Sequence, residues 1–235
     1  VMVIYDEDTG TPAAIIDSKL VTRWKTGADS GLGARHLARP DSRALTIIGA
    51  GEVAGSLAEV YSALFPALDR IRIWNRTAEN AQRLVQGLAA QGIAAEVAPD
   101  LAEAVAQADI VASATMSRQP ILRGEWLRPG THVDLVGAFR ADMREADDTL
   151  LRRARIFVDS RETTLDHIGE LKIPLAQGVI TRDSVLGDHY DLEAGRAGRR
   201  SADEITLCKN GGGAHLDLMA AQAIMAACAP QPNPG

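Results

Sequence analysis

Gly49-Ala50-Gly51-Glu52-Val53-Ala54 is a G-x-G-x-x-A run placed between a β-branched stretch, Ala44-Leu45-Thr46-Ile47-Ile48, and a helical one at 52–65. This spacing suits a pyrophosphate. Gly49 permits a tight turn off the strand, and Gly51 leaves the backbone open to a phosphate. Ala54 is small enough for helix and strand to pack closely. The start of the helix adds unpaired N–H groups and the positive end of its dipole. A glycine turn that only eases packing is the plainer alternative. The strand before the turn and the helix after it favour a dinucleotide site.

The end of the next strand, Ile71-Arg72-Ile73-Trp74, bears on which dinucleotide binds. An acidic residue about 20 positions past the glycines would hold the ribose 2′-hydroxyl of NAD. Here the tip reads Asn75-Arg76-Thr77. Arg76 can pair with a 2′-phosphate and stack on adenine, and Asn75 and Thr77 can donate hydrogen bonds. NADP(H) is therefore expected over NAD(H). In the plainer reading Thr77 caps the next helix and Arg76 is a solvated charge.

These groups need a scaffold, and the chain shows one. Residues 1–5 and 12–16 read as a hairpin around Asp6-Glu7-Asp8-Thr9-Gly10, and 18–38 as a helix. That helix contains Gly27, Gly31 and Gly33, each costing on the order of 1 kcal/mol. Close approach of another backbone or a cofactor would account for them. From Ser42 onward strands and helices alternate: strands at 44–48, 71–74, 94–98, 110–115, 131–137 and 155–159, with helices at 52–65, 77–90 and 100–107. Val53, Leu57, Val60 and Leu64 mark the apolar face of the first of those helices, and Thr77 the cap of the second. Such alternation predicts an α/β fold with a doubly wound parallel sheet, whose ligands sit at the carboxyl ends of the strands. That rule points to 49–53, 75–77, 113–116 and 136–140, and so to Ser113, Thr115, Met116, Val136, Gly137 and Arg140. Past Asp159 the reading is polar helical pieces, a strand at 205–208, and a glycine-rich turn, Lys209-Asn210-Gly211-Gly212-Gly213, entering a helix at 214–228. The tail at 230–235 is expected to fray.

Composition narrows the function classes. The 235 residues are 46% apolar and carry a net charge of −6, with Lys and Arg scattered. That argues against nucleic acid as a partner. Two cysteines, Cys208 and Cys228, suit a reducing cytoplasm rather than a disulfide framework. No apolar run of membrane-spanning length occurs, so no membrane partner is expected. His36, His132, His167, His189 and His215 show no metal-ligand spacing, and no metal is expected. Asp134 is expected beside the cofactor or satisfied by hydrogen bonds. Arg140, Asp142, Arg144 and Glu145 read as a loop ion-pair network, with Arg140 a candidate substrate contact. The chain opens directly on a strand without Met, and an N-terminal segment is expected to be missing.

Several segments together resemble the ornithine cyclodeaminase/mu-crystallin family. They are Thr22-Arg23-Trp24-Lys25-Thr26-Gly27-Ala28-Asp29-Ser30, Ile48-Gly49-Ala50-Gly51, His132-Val133-Asp134-Leu135-Val136-Gly137-Ala138, Phe157-Val158-Asp159-Ser160 and Ser201-Ala202-Asp203-Glu204-Ile205-Thr206-Leu207-Cys208-Lys209. The resemblance implies a Rossmann-type domain at 41–165, inserted in a split substrate and dimerisation domain formed by 1–40 and 166–235, and a homodimer. It implies that Glu52 and Val53 give backbone contacts to the pyrophosphate, and that Asn75, Arg76 and Thr77 hold the adenosine ribose. Thr115, Val136 and Gly137 would lie beside the nicotinamide, and Asn210 and Gly211 would return to cofactor and substrate. Lys25 stands where the family usually has Arg, keeping the charge but not the bidentate fork. Phe139 stands where ornithine-cyclising members carry an acid/base Asp. The stretch from Val136 to Glu145 is similar to members that reduce cyclic ketimines, Δ1-pyrroline-2-carboxylate or Δ1-piperideine-2-carboxylate, to L-proline or L-pipecolate. Lys25 is then the candidate cation for the substrate carboxylate. Ornithine cyclodeaminase, an alanine dehydrogenase-like amino-acid oxidoreductase, and a non-catalytic NADP-dependent binding protein of mu-crystallin type are the alternatives.

Overall fold

A computed structural model describes residues 1–228, and the expectation for the tail at 230–235 lies outside them. Strands β1 (Met2–Tyr5) and β2 (Pro12–Ile16) pair antiparallel as a hairpin. Asp6 closes its turn by accepting from the Thr9 amide at 2.8 Å and the Thr9 hydroxyl at 2.7 Å. Helix α1 (Ser18–Leu37) follows, with the Asp17 carboxylate capping it through the Lys19 amide at 2.9 Å.

The rest is built on one parallel sheet. Its strands are β3 (Ala44–Ile48), β4 (Arg70–Trp74), β5 (Glu96–Val97), β6 (Ile110–Ser113), β7 (His132–Leu135), β8 (Arg155–Val158), β9 (Val185–Gly187) and β10 (Thr206–Lys209). Their order is β5-β4-β3-β6-β7-β10-β8-β9, and every neighbouring pair is parallel. The expected strand at 94–98 shrinks to two residues at the sheet edge. The sheet does not stop at position 165: β10 lies between β7 and β8.

The helices in between are α2 (Glu52–Leu64), α3 (Ala78–Ala89), α4 (Leu101–Ala106), α5 (Asp148–Arg153), α6 (Arg161–Thr164), α7 (Gly169–Ala176), α8 (His189–Glu193) and α9 (Ala214–Cys228). Central strands β6, β7 and β10 are buried at every residue, and β7 and β10 hold polar side chains there, His132, Asp134, Thr206 and Lys209 among them. On one face Ile47, Ile73, Ile110 and Ala112 pack with Ala54, Leu57 and Tyr61 of α2 and with Ala34 of α1. On the other, Val111, Val133, Leu135, Ile156 and Leu207 pack with Leu122, Leu150 and Leu171. Both faces are covered, as a doubly wound sheet requires.

Three local expectations are corrected. The apolar stripe of α2 divides: Leu57 faces the sheet, while Val60 and Leu64 turn to α1. A Cβ on Gly27 would come within 3.0 Å of Val60, and one on Gly31 within 2.9 Å of Leu64. The α1 glycines thus admit side chains of α2, and at Gly33 the Cys208 thiol of β10, rather than a backbone or a cofactor. Thr77 holds the N-cap position of α3, but its hydroxyl makes no capping bond; the Asn75 amide donates to the Thr77 carbonyl at 2.8 Å.

Candidate functional site

The chain runs outward from β3 through β4 to β5, then returns to β6 on the other side of β3. A crevice opens where the winding reverses, at the carboxyl ends of β3 and β6. Gly49 sits at its floor. Its φ of +116° lies in the region open to glycine, and a Cβ there would come 2.6 Å from the Ala114 carbonyl. Its amide donates to the Trp74 carbonyl at 2.8 Å, locking the turn to β4. Gly51 is different: a Cβ there would meet nothing within 4 Å, so the space beside it is open to a ligand. Ala54 behind the turn is fully buried.

The resulting cavity, of about 420 Å³, brings together eight of the expected cofactor residues: Gly49, Ala50, Gly51, Asn75, Arg76, Thr77, Thr115 and Met116. Glu52 and Val53 begin α2 beside it, so their amides face the same opening. Trp74, Asn80, Ser117 and Ile121 also line it and were not anticipated. Asn80 could have been found, because it lies one helical turn past Thr77. No Asp or Glu stands among the described residues that line this cavity. The residues present fit a dinucleotide: an open glycine turn for phosphates and a cationic strand tip for the adenosine end.

Ser113 and Asn210 are placed differently. Ser113 is buried, and its hydroxyl donates to Glu145 at 2.6 Å. Asn210 is buried too, and its amide donates to the Ser30 hydroxyl at 2.8 Å and to Asp134 at 2.9 Å. Asp134 also accepts from the Tyr61 hydroxyl at 3.0 Å. Burial raises its carboxyl from 3.8 to about 6, against the hydrogen bonds that lower it. Asp134 is thus satisfied internally, one of the two outcomes expected of it. Val136 and Gly137 leave β7 next to Thr115, with a Cβ on Gly137 falling 2.0 Å from the Thr115 carbonyl.

The expected substrate residues fall in two places. Lys25 lies beside the Gly211-Gly212-Gly213 turn, its ammonium 3.8 Å from where a Gly212 Cβ would stand. It is not free: Asp217 of α9 pairs with it at 2.7 Å. It lines a second cavity of about 580 Å³ between α1 and α9, with Trp24, Asp29, Leu32, Leu216 and Met219 among its other walls. The Gly211 and Gly212 amides donate to Asp159 at 2.8 and 2.6 Å, which fixes the turn. Arg140 is exposed, its guanidinium 5.4 Å from the ring centroid of Phe139, which is itself 52% exposed.

The loop ion-pair network takes another form. Arg144 pairs with Asp148 at 2.9 Å and Asp142 with Arg118 at 3.2 Å. Glu145 is fully buried among hydrogen-bond donors instead. Behind it Glu170 is buried and accepts from the Glu145 and Ala146 amides at 2.7 and 3.0 Å. Burial, and next the charge of Glu145, push its carboxyl up to about 7. Lys209 is also buried, donating to the Leu135 and Asn210 carbonyls at 2.9 and 2.6 Å. Sequence reasoning missed these three. A charged side chain in a polar stretch or beside a glycine turn looks solvated, and only the fold shows otherwise.

A glycine turn at the switch point of a doubly wound sheet, with a cationic strand tip beyond it, defines a dinucleotide-binding α/β protein. More narrowly, the chain belongs to the ornithine cyclodeaminase/mu-crystallin family, whose model matches residues 1–229. It is 61% identical over 226 residues to a Δ1-pyrroline-2-carboxylate reductase of Paracoccus denitrificans, covering 95% of this chain and 71% of that one. Among solved structures it resembles the Thermococcus litoralis Δ1-pyrroline-2-carboxylate reductase in complex with NADH and L-proline. That match has a TM-score of 0.91 at 30% identity, over 98% of this chain and 73% of that one. An archaeal alanine dehydrogenase dimer with bound NAD superposes with a TM-score of 0.88 at 29% identity, over 99% and 73%.

Proposed function

We propose that this protein reduces a cyclic ketimine, Δ1-pyrroline-2-carboxylate or Δ1-piperideine-2-carboxylate, to L-proline or L-pipecolate, and that it prefers NADPH to NADH. Its likeness to two reductases of that name supports the substrate class. The observation that carries the reaction is Phe139. It stands exposed on the loop after β7, where cyclisation of ornithine would need a carboxylate. A phenyl ring moves no proton. A preformed cyclic imine requires none to be taken from an amine at that point.

When bound, the reduced nicotinamide supplies the hydride for the imine carbon, and the imine nitrogen takes its proton from water. The chain's residues do the rest. Gly49 to Gly51 and the first amides of α2 take the pyrophosphate. Asn75, Arg76, Thr77 and Asn80 take the adenosine end, and Arg76 takes the 2′-phosphate. Thr115, Met116 and the end of β7 face the nicotinamide half. Lys25 holds the substrate carboxylate, in competition with Asp217, and so orients the imine. That no Asp or Glu lines the cavity among the described residues supports NADPH, although the two solved relatives described above carry NADH or NAD.

The test is the loss of NADPH absorbance when either imine is added, together with the ratio of kcat/KM for NADPH and NADH. A clear NADH preference overturns the cofactor assignment alone. Tight NADPH binding with no turnover of either imine defeats the enzyme reading and leaves a binding protein of mu-crystallin type. Turnover of pyruvate only with ammonia would make it an alanine dehydrogenase. The homodimer, the cytoplasmic setting and a substrate domain formed by 1–40 and the parts of 166–235 outside the sheet belong to the same proposal. Sedimentation of the protein tests the first.

A further inference from the structure

We propose that Glu145 is a positioning residue, whose carboxylate sets the spacing of the β6 and β7 tips and so builds the platform for the nicotinamide half of the dinucleotide. This rests on the reading of the cavity as a dinucleotide site. Strands β6 and β7 pair through Ser113 opposite Leu135 and then part. Past that point the amides of Thr115 and Ala138 have no partner in the sheet, and that of Gly137 reaches only Ser113 across 3.2 Å. Glu145 meets all three. One carboxylate oxygen accepts from the Ser113 hydroxyl at 2.6 Å, the Thr115 amide at 2.8 Å and the Thr115 hydroxyl at 2.7 Å. The other accepts from the Gly137 amide at 2.7 Å and the Ala138 amide at 3.1 Å. Each oxygen thus serves one strand, and the rigid carboxylate fixes the gap between them.

The arrangement admits few alternatives. Five donors converge on a group that only accepts. An amide in its place would turn an N–H₂ toward one of the two strands. The residue is held from behind as well, because its own amide donates to Glu170 and its carbonyl accepts from the Ile121 and Leu122 amides, both at 2.9 Å. Gly137 lets the carboxylate in, since a Cβ there would stand 2.7 Å from its oxygen. Thr115, which Glu145 grips through both backbone and side chain, is itself part of the cavity wall. On the adenosine side, the side chain of Asn75 at the tip of β4 bonds to Thr77 and not to this cluster.

That division provides the test. ADP occupies the adenosine and pyrophosphate half only, whereas NADPH or NADH reaches the nicotinamide half as well. In Glu145→Gln, ADP is expected to bind within about twofold of wild type. The whole dinucleotide should bind about tenfold more weakly, the change expected when one buried charge-assisted contact is lost, and kcat should fall further than KM rises. Ser113→Ala removes one donor of five and leaves the carboxylate with the other four, a smaller disturbance than the first variant; it should show the same split at about twofold to threefold. Equal weakening of ADP and dinucleotide, or no change in either, overturns the proposal. A wild-type protein that binds dinucleotide but turns over no imine refutes the reductase reading and leaves this test intact. Failure of the wild type to bind either ligand sinks both.

Discussion

Glu170 offers a measurable consequence of burying a second carboxylate under the site. Its carboxyl rises from 4.5 to about 7, chiefly through burial and then through the neighbouring charge of Glu145. That difference corresponds to about 3 kcal/mol. The sign follows from linkage. A raised folded value means that the folded chain holds the proton longer than the unfolded one. The contribution to stability is complete below 4.5 and is lost as pH rises through about 7. Glu170→Gln is neutral throughout. Its amide oxygen can accept from the Ala146 or the Glu145 amide but not both, a fixed cost of about 1–3 kcal/mol at every pH. Between about pH 5 and about pH 8.5 the wild type should therefore lose most of about 3 kcal/mol relative to the variant, and the order of stability should close or reverse. The assay is urea unfolding of both proteins at the two pH values. In thermal scans the same change is roughly 6–12 °C of relative Tm for a chain of this size. A gap that stays constant within about 0.5 kcal/mol would show that Glu170 is not held neutral by its surroundings.

Gly137→Ala drives a methyl group to 2.0 Å from the Thr115 carbonyl. A loss of about 1–3 kcal/mol or more is expected, together with weaker dinucleotide binding, read by thermal scans with and without the dinucleotide. Tyr61→Phe removes the 3.0 Å donor to Asp134. It should cost about 1–3 kcal/mol in denaturant unfolding, and the loss should be smallest where Asp134 is protonated. Lys25→Met should raise the KM for the imino acid about tenfold by removing a charged contact, while Asp217→Asn should lower it by freeing the ammonium. Initial rates against imine concentration check both, and opposite signs are required.

The dinucleotide crevice was legible in the sequence because its parts are local. Gly49, Gly51 and Ala54 act within one turn, and Asn75 to Thr77 lie directly at a strand end. The two α1 glycines facing α2 were visible, but what they face was not, since Val60 and Leu64 look like sheet-facing residues until the crossing of α1 and α2 is known. Glu145 was the hardest. Its five donors come from two other segments, 113–115 and 137–138, and no helical or strand period connects them to position 145. Lys25 was found by resemblance, yet its pairing with Asp217 depends on a helix nearly two hundred residues later. Long-range pairing of single charges leaves no periodic trace in a sequence.

Strand β10 carries a consequence for how this chain is made. It is the last strand in chain order among the described residues, yet it fills the gap between β7 and β8. About 50 residues separate the end of β8 from its start, several seconds of translation at roughly 5–20 residues per second. During that interval β7 and β8 each present an open ladder, the kind of edge that captures foreign strands. A ribosome stalled before Thr206 would release two incomplete half-sheets. Their sticky inner margins make such products natural clients for chaperones and proteases.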